Sequence, residues 1–265
     1  MRIPRNQVMS VVTVLALMSW AFASAATQRG GRGSSSKPPD AGVAAPRLPN
    51  GKADLNGVWE RPYVPDMTKT ASGQQGTAEL PFTAEGLADW KGYDAANGDY
   101  TGSCMPFGMS RSVNSPYPLQ IVQNDKYVAL LFEQSSWFHV VPLDGRPHPP
   151  PDQLDPTWFG HSIGKWEGDT LVVDTVGFNG YTRLDTIGHP HSDALHMVQT
   201  FRRTDFSHMA YTVMIDDPRT YTRPWKNERT FTLSKGEIME YSCEENNKSL
   251  WEGRIKPWVP PAQRK

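Results

Sequence analysis

The chain has 265 residues, a formal net charge of −1 and 38% hydrophobic residues. A near-neutral charge with no long run of one sign excludes a nucleic-acid groove or a polybasic membrane patch. The length suits one large globular domain behind an export signal.

Arg2 and Arg5 precede an apolar run over residues 8–22, and Ala23-Ser24-Ala25 offers small residues for cleavage. This is the charged, apolar and A-x-A order of a secretory signal peptide, so residues 1–25 are assigned to one and the mature protein to the periplasm or the exterior. The apolar run is short for a membrane span, and no other stretch is apolar enough to cross a bilayer. Residues 26–50 are Gly, Ser, Pro, Ala and Arg with almost no large apolar side chain. They cannot bury enough surface to offset ordering entropy and read as a flexible linker. Residues 51–265 are then a single β domain.

Along that domain, residues 83–95 are the one helical stretch: Thr83 suits an N-cap, and Leu87 and Trp90 give an i, i+3 apolar face. From residue 119 onward the pattern has period 2. Strands are expected at 127–133, 137–141, 161–166, 170–176, 196–203, 209–215, 228–233 and 237–243. The clearest hairpin joins 161–166 to 170–176 through Glu167-Gly168-Asp169, with Gly168 at the position that needs positive φ. A second short hairpin is expected through Ser234-Lys235-Gly236. Many antiparallel strands with short turns predict an all-β fold, an antiparallel up-and-down barrel, with a two-sheet β-sandwich as the alternative. The only two cysteines are Cys104 and Cys243. In an oxidising compartment an even pair favours a disulfide. Neither has a histidine nearby in sequence, so neither reads as a catalytic nucleophile.

Two resemblances follow from particular strings. Gly57-Val58-Trp59 before a strand meander is similar to the opening of calycin and lipocalin-like barrels. That likeness implies a tryptophan plugging the closed end of the barrel, covered by a late arginine, for which Arg254 is the candidate. More specifically, WEGDTLVVDTVGFN (166–179) and HPHSDALH (189–196) resemble a family of exported bacterial proteins of unknown function. Asp216-Asp217-Pro218 and Tyr221-Thr222-Arg223-Pro224-Trp225 belong to the same pattern. The resemblance implies a family fold and carries no activity.

The densest chemistry lies at residues 188–196, which hold three of the seven histidines and a carboxylate. Histidine titrates near neutrality and is the commonest metal ligand, so the cluster suits proton transfer or metal binding. Proton transfer is assigned to His191 or His196, oriented by Asp185 or Asp193, with Arg183 holding an anionic part of the substrate. Trp137, His139, His161 and Tyr181 are the further substrate-binding candidates. The expected activity is that of an exported lyase, isomerase or hydrolase acting on a small organic molecule. A ligand-binding protein without catalysis is the alternative. No cofactor is expected, since G-x-G-x-x-G and P-loop motifs are absent, as is the G-x-S-x-G elbow. A divalent metal on His189, His191 and His196 is the remaining variant. Asp174 poses a separate question. It shares a face with Val172 and Val176, and if that face is buried the carboxylate needs a histidine or arginine partner.

Overall fold

A computed structural model describes residues 42–95 and 99–260. The expected signal peptide and most of the expected linker lie outside the described residues. The end of the linker is anchored: Val43 O accepts from Phe206 N at 2.8 Å, and Arg47 makes a two-pronged pair with Asp169 at 2.6 and 2.7 Å.

Ten antiparallel strands form one sheet: β1 (Gly57–Glu60), β2 (Gln74–Gln75), β3 (Leu119–Gln123), β4 (Tyr127–Phe132), β5 (Phe138–Pro142), β6 (His161–Glu167), β7 (Thr170–Val176), β8 (His196–Arg203), β9 (His208–Asp216) and β10 (Trp225–Ser234). Their order is β5-β4-β3-β1-β10-β9-β8-β7-β6, with β2 added on β10. Helices are few: α1 (Ala84–Gly92), α2 (Gly108–Asn114) and α3 (Lys248–Trp251). Thr83 caps α1 as expected, its Oγ1 accepting from Gly86 N at 3.0 Å. The seven-residue helix α2 opens on Gly108 and holds Ser110 and Ser112, residues of weak helix propensity, and it is buried all round, so it carries no periodic signal and is missed by pattern alone.

Alternation is strict where sequence periodicity is strongest. In β7 Leu171, Val173 and Thr175 are buried while Thr170, Val172, Asp174 and Val176 are half-exposed. The inner faces of all the long strands meet in a single core that includes Trp59, Phe132, Phe201 and Phe231. In the β6–β7 hairpin Glu167 pairs with Thr170, so the turn is only Gly168-Asp169, one residue shorter than expected, with Gly168 at φ 61°.

Three expectations are corrected. The strand order is that of a meander wound on itself, and β5 and β6 lie side by side, but no ladder joins them. The sheet is therefore not closed into a barrel; neither is it split into the two sheets of a sandwich. Side chains fill the β5–β6 gap instead: a Cβ on Gly164 would sit 2.7 Å from Leu143 Cδ2 and 2.8 Å from Val141 Cγ1. Next, residues 237–243 form no strand. The free edge of β10 is already taken, by β1 opposite Thr232–Ser234 and by β2 opposite Glu228 and Arg229, so a returning strand has no ladder to join. That segment runs across to the loop after β4, where Met239 N donates to Glu133 Oε2 at 3.0 Å, and it ends in the Cys104–Cys243 disulfide. The disulfide pairing matches the expectation from cysteine count.

The third correction concerns the tryptophan cover. Trp59 is fully buried and its Nε1 donates to Leu55 O at 2.9 Å. The cation over its ring is Arg203, 5.1 Å from the centroid, and not Arg254, which is an exposed partner of Glu252. Arg203 donates to Asp54 O at 2.6 Å and Phe206 O at 2.5 Å, so it ties the start of the sheet to the β8–β9 turn. Charge-assisted bonds to buried carbonyls are costly to lose. Arg203→Met is expected to destabilise the fold by about 2–4 kcal/mol and Arg254→Met by less than about 0.5 kcal/mol, measured by urea unfolding. Equal effects would mean that the ring is not what Arg203 secures.

Candidate functional site

The histidines that stand together in sequence part company in space. Residues 184–189 make a tight turn in which Leu184 N donates to His189 O at 2.8 Å. Asp185 lies inside this turn, fully buried. Its Oδ2 is 2.6 Å from His189 Nδ1 and accepts from Met67 N at 2.8 Å, while Oδ1 accepts from His189 N at 3.1 Å. Trp90 of α1 packs against the His189 ring with centroids 5.0 Å apart. A buried carboxylate with three donors is satisfied, and it holds the turn rather than a substrate. Asp185 thus orients His189, and not His191 or His196 as expected.

His191 is also buried. Its Nδ1 donates to Ser192 O at 2.9 Å, which leaves Nε2 to accept from the Thr182 hydroxyl at 2.6 Å. Both nitrogens are used, and burial pushes its pKa below the usual histidine value. A neutral ring with no free lone pair cannot take a proton from substrate, so the role expected of His191 is corrected to a structural one. Asp193 pairs at the surface with Arg219 and contacts neither histidine. Arg183 is likewise engaged. It makes a bidentate pair with Asp89 at 2.8 and 2.9 Å and stacks 4.6 Å from Tyr93. It is not a free anion clamp. The ring nitrogens of His189, His191 and His196 bond to different partners and do not converge. Among the described residues, the group with ligand atoms close enough to share a cation is Asp66, Asp185 and His189, of which the last two already satisfy each other.

The aromatic candidates form two clusters. Trp137 and His139 pack with Phe159, at centroid separations of 6.3 and 6.0 Å. Tyr181 belongs to a second group, 5.9 Å from Trp158 and 5.7 Å from Trp258. His139 also faces inward, with Nε2 2.7 Å from Ser162 Oγ, which in turn meets Thr175 Oγ1 at 2.7 Å.

What the fold does assemble lies on the outer face of β6–β8. Asp174 Oδ1 accepts from His148 Nε2 and from His196 Nε2, both at 3.0 Å, and His148 Nδ1 meets His161 Nδ1 at 2.9 Å. His161 and His196 open their strands, Asp174 sits between them on β7, and His148 arrives from the proline-rich loop after β5. Asp174 and His196 are just over one third exposed and His148 one fifth, so the array meets solvent. Asp174 therefore faces outward, and its partners are histidines. His148 was missed because Pro147, Pro149, Pro150 and Pro151 make it look like a surface spacer. Nothing local shows that the rigid loop folds back onto β7.

A concavity of about 630 Å³ between the β2 turn and β7–β10 is lined by threonines with Arg202, Tyr211, Glu228 and Arg229. None of the histidine array borders it.

Burial lowers the pKa of His139 to about 4, with the neighbouring His161 adding to the shift. The unfolded chain takes up a proton there near pH 6.5, whereas the folded chain does not until about pH 4. Its contribution to stability is therefore full above pH 6.5 and is lost as pH falls from 6.5 to 4. The loss from this group is about 3 kcal/mol, and His191 adds to it with the same sign. Urea unfolding across this window is expected to show a steep fall for the native chain and a shallower one for His139→Gln; parallel curves would remove His139 as the cause.

No protein-family model matches the chain, and no curated protein shows significant similarity to it.

Proposed function

We propose that this protein is an exported enzyme that transforms a small organic molecule by general acid–base chemistry, as a lyase, isomerase or hydrolase, with His161 as the proton-accepting group. The observation that carries this reading is the hydrogen-bonded line Asp174–His148–His161. A carboxylate accepts only from N–H, so Asp174 holds neutral His148 as the Nε2–H tautomer. The bare Nδ1 of His148 then accepts from His161 Nδ1–H, which leaves the basic lone pair of His161 on Nε2. A proton taken from substrate at that Nε2 is offset by passage of the Nδ1 proton to His148. The resulting imidazolium lies against the Asp174 carboxylate, and His196 steadies the same carboxylate oxygen. Partial burial, followed by the proximity of His148 and Arg146, lowers the pKa of His161, so the ring is unprotonated and able to accept a proton at neutral pH. Export is supported by the signal-like N-terminus together with the disulfide, since such bonds persist in oxidising compartments.

The test is a turnover screen with small esters, lactones and hydroxy acids, using the native chain beside His161→Gln, His148→Gln and Asp174→Asn. Loss of the base is expected to lower kcat by about 100-fold or more. Each change is expected to cost less than about 1 kcal/mol of stability, because the positions are part-exposed. Activity should hold at neutral pH and fall on the acid side, with a midpoint below 6.5. Unchanged turnover in His161→Gln would overturn the assignment.

A second reading, ligand binding without catalysis, is favoured by a different observation: the inner face of the sheet carries buried polar groups, among them Gln199, Tyr211, Asn227 and Arg229.

A further inference from the structure

Arg229 points to the inner face of β10 and is only 4% exposed. Its Nε donates to Asn227 Oδ1 at 2.7 Å, and its guanidinium lies 5.3 Å from the Tyr211 ring centroid. Both terminal nitrogens, Nη1 and Nη2, are buried with no hydrogen-bond partner among the described residues. Beside them, Gln199 is fully buried. Its Nε2 donates to Tyr211 Oη at 2.9 Å, while its Oε1 is also unpartnered.

A second guanidinium stands near. Arg61 follows Glu60, which faces Thr232 across the β1–β10 ladder, three residues along from Arg229. It is buried and donates to Ser112 O at 2.9 Å, to Ser115 Oγ at 3.2 Å and to Tyr117 O, but its Nε has no partner among the described residues. Burial and then repulsion from Arg229 lower its pKa to about 9, and burial lowers that of Arg229 to about 10. Both are therefore cationic at neutral pH.

Two like charges, neither bonded to a carboxylate among the described residues, are an expensive thing to place inside a β-sheet. The arrangement makes physical sense if an anion completes it. The two Nη groups of one arginine match the two oxygens of a carboxylate in a planar fork. Around them the walls are aromatic, Tyr211 stacking on Phe231 at 4.9 Å and meeting Phe201 at 5.1 Å. Such walls suit a compact organic acid better than a strongly hydrated phosphate. We propose that the inner face across β8, β9 and β10, beside β1, binds a small carboxylic acid, its carboxylate held by the Nη1 and Nη2 of Arg229 and its hydroxyl or amide hydrogen by Gln199 Oε1. This deepens the ligand-binding reading and is independent of the histidine array, which lies on the opposite face of the sheet.

The test is thermal unfolding and calorimetric titration of the full chain with glycolate, benzoate and inorganic phosphate, comparing the native protein with Arg229→Met. A carboxylate is expected to raise the Tm of the native protein in a concentration-dependent manner. Its apparent Kd in Arg229→Met is expected to weaken at least about tenfold. In the absence of anion, Arg229→Met is expected to keep or raise the Tm, because an unpaired buried charge has been removed. A variant that fails to fold or melts markedly lower would show that Arg229 is structural and would overturn the proposal. So would a native Tm indifferent to all three anions, a response to phosphate alone, or equal carboxylate binding by both proteins. Loss of turnover in the histidine variants with carboxylate binding intact would leave this site standing, so the two proposals fail separately.

Discussion

The sheet depends on four residues. β1 lies between β3 and β10, and among the described residues it links the β3–β5 meander to the β6–β10 meander in the hydrogen-bonded path. So short a strand is held by what surrounds it. Gly57 at its start has φ 133°, a conformation that favours glycine, while the nearest atom to a Cβ there is the mobile tip of Leu233, Cδ1 at 2.8 Å. Two residues on, Trp59 fills the core and Arg203 covers it. The G-x-W triplet is thus a joint: the glycine takes the positive φ at the start of the strand, and the tryptophan anchors the joint against the rest of the fold.

The same geometry separates two chemistries. An antiparallel sheet presents alternate residues to opposite faces. On β7 this sends Thr175 inward, into the polar line with Ser162 and His139, and Asp174 outward to His148 and His196. Inward polar groups must find partners within the protein or in a ligand, which is why Arg229 and Gln199 are informative. Outward groups can exchange protons with solvent, which is why the Asp174 array suits acid–base work.

Much of the fold was legible because strand periodicity is local. β7 and β8 run over residues 170–176 and 196–203 as expected, and β4, β5, β6 and β9 depart by a residue or so. The expected strand at 237–243 failed for a non-local reason: the edge it needed was occupied by β1 and β2, which are far away in sequence. The candidate site was legible only in part. Composition singled out residues 188–196, yet the density of histidines there reflects a pinned turn, with Asp185 and His189 satisfying each other and His191 locked between Thr182 and the Ser192 carbonyl. His196 and His161 do reach a shared array, but through Asp174 and His148, which stand 22 and 13 residues away from them.

The sequence alone determined the all-β class, most strand positions, the capped helix after Thr83 and the pairing of its two cysteines. Each follows from spacing along the chain or from a count that admits one solution. Tertiary structure alone decided which arginine covers Trp59, that the sheet stays open between β5 and β6, and which histidines meet a carboxylate. Those outcomes depend on which residues face one another across strands distant in sequence, and hydrophobic alternation specifies the face of a side chain without naming its neighbour.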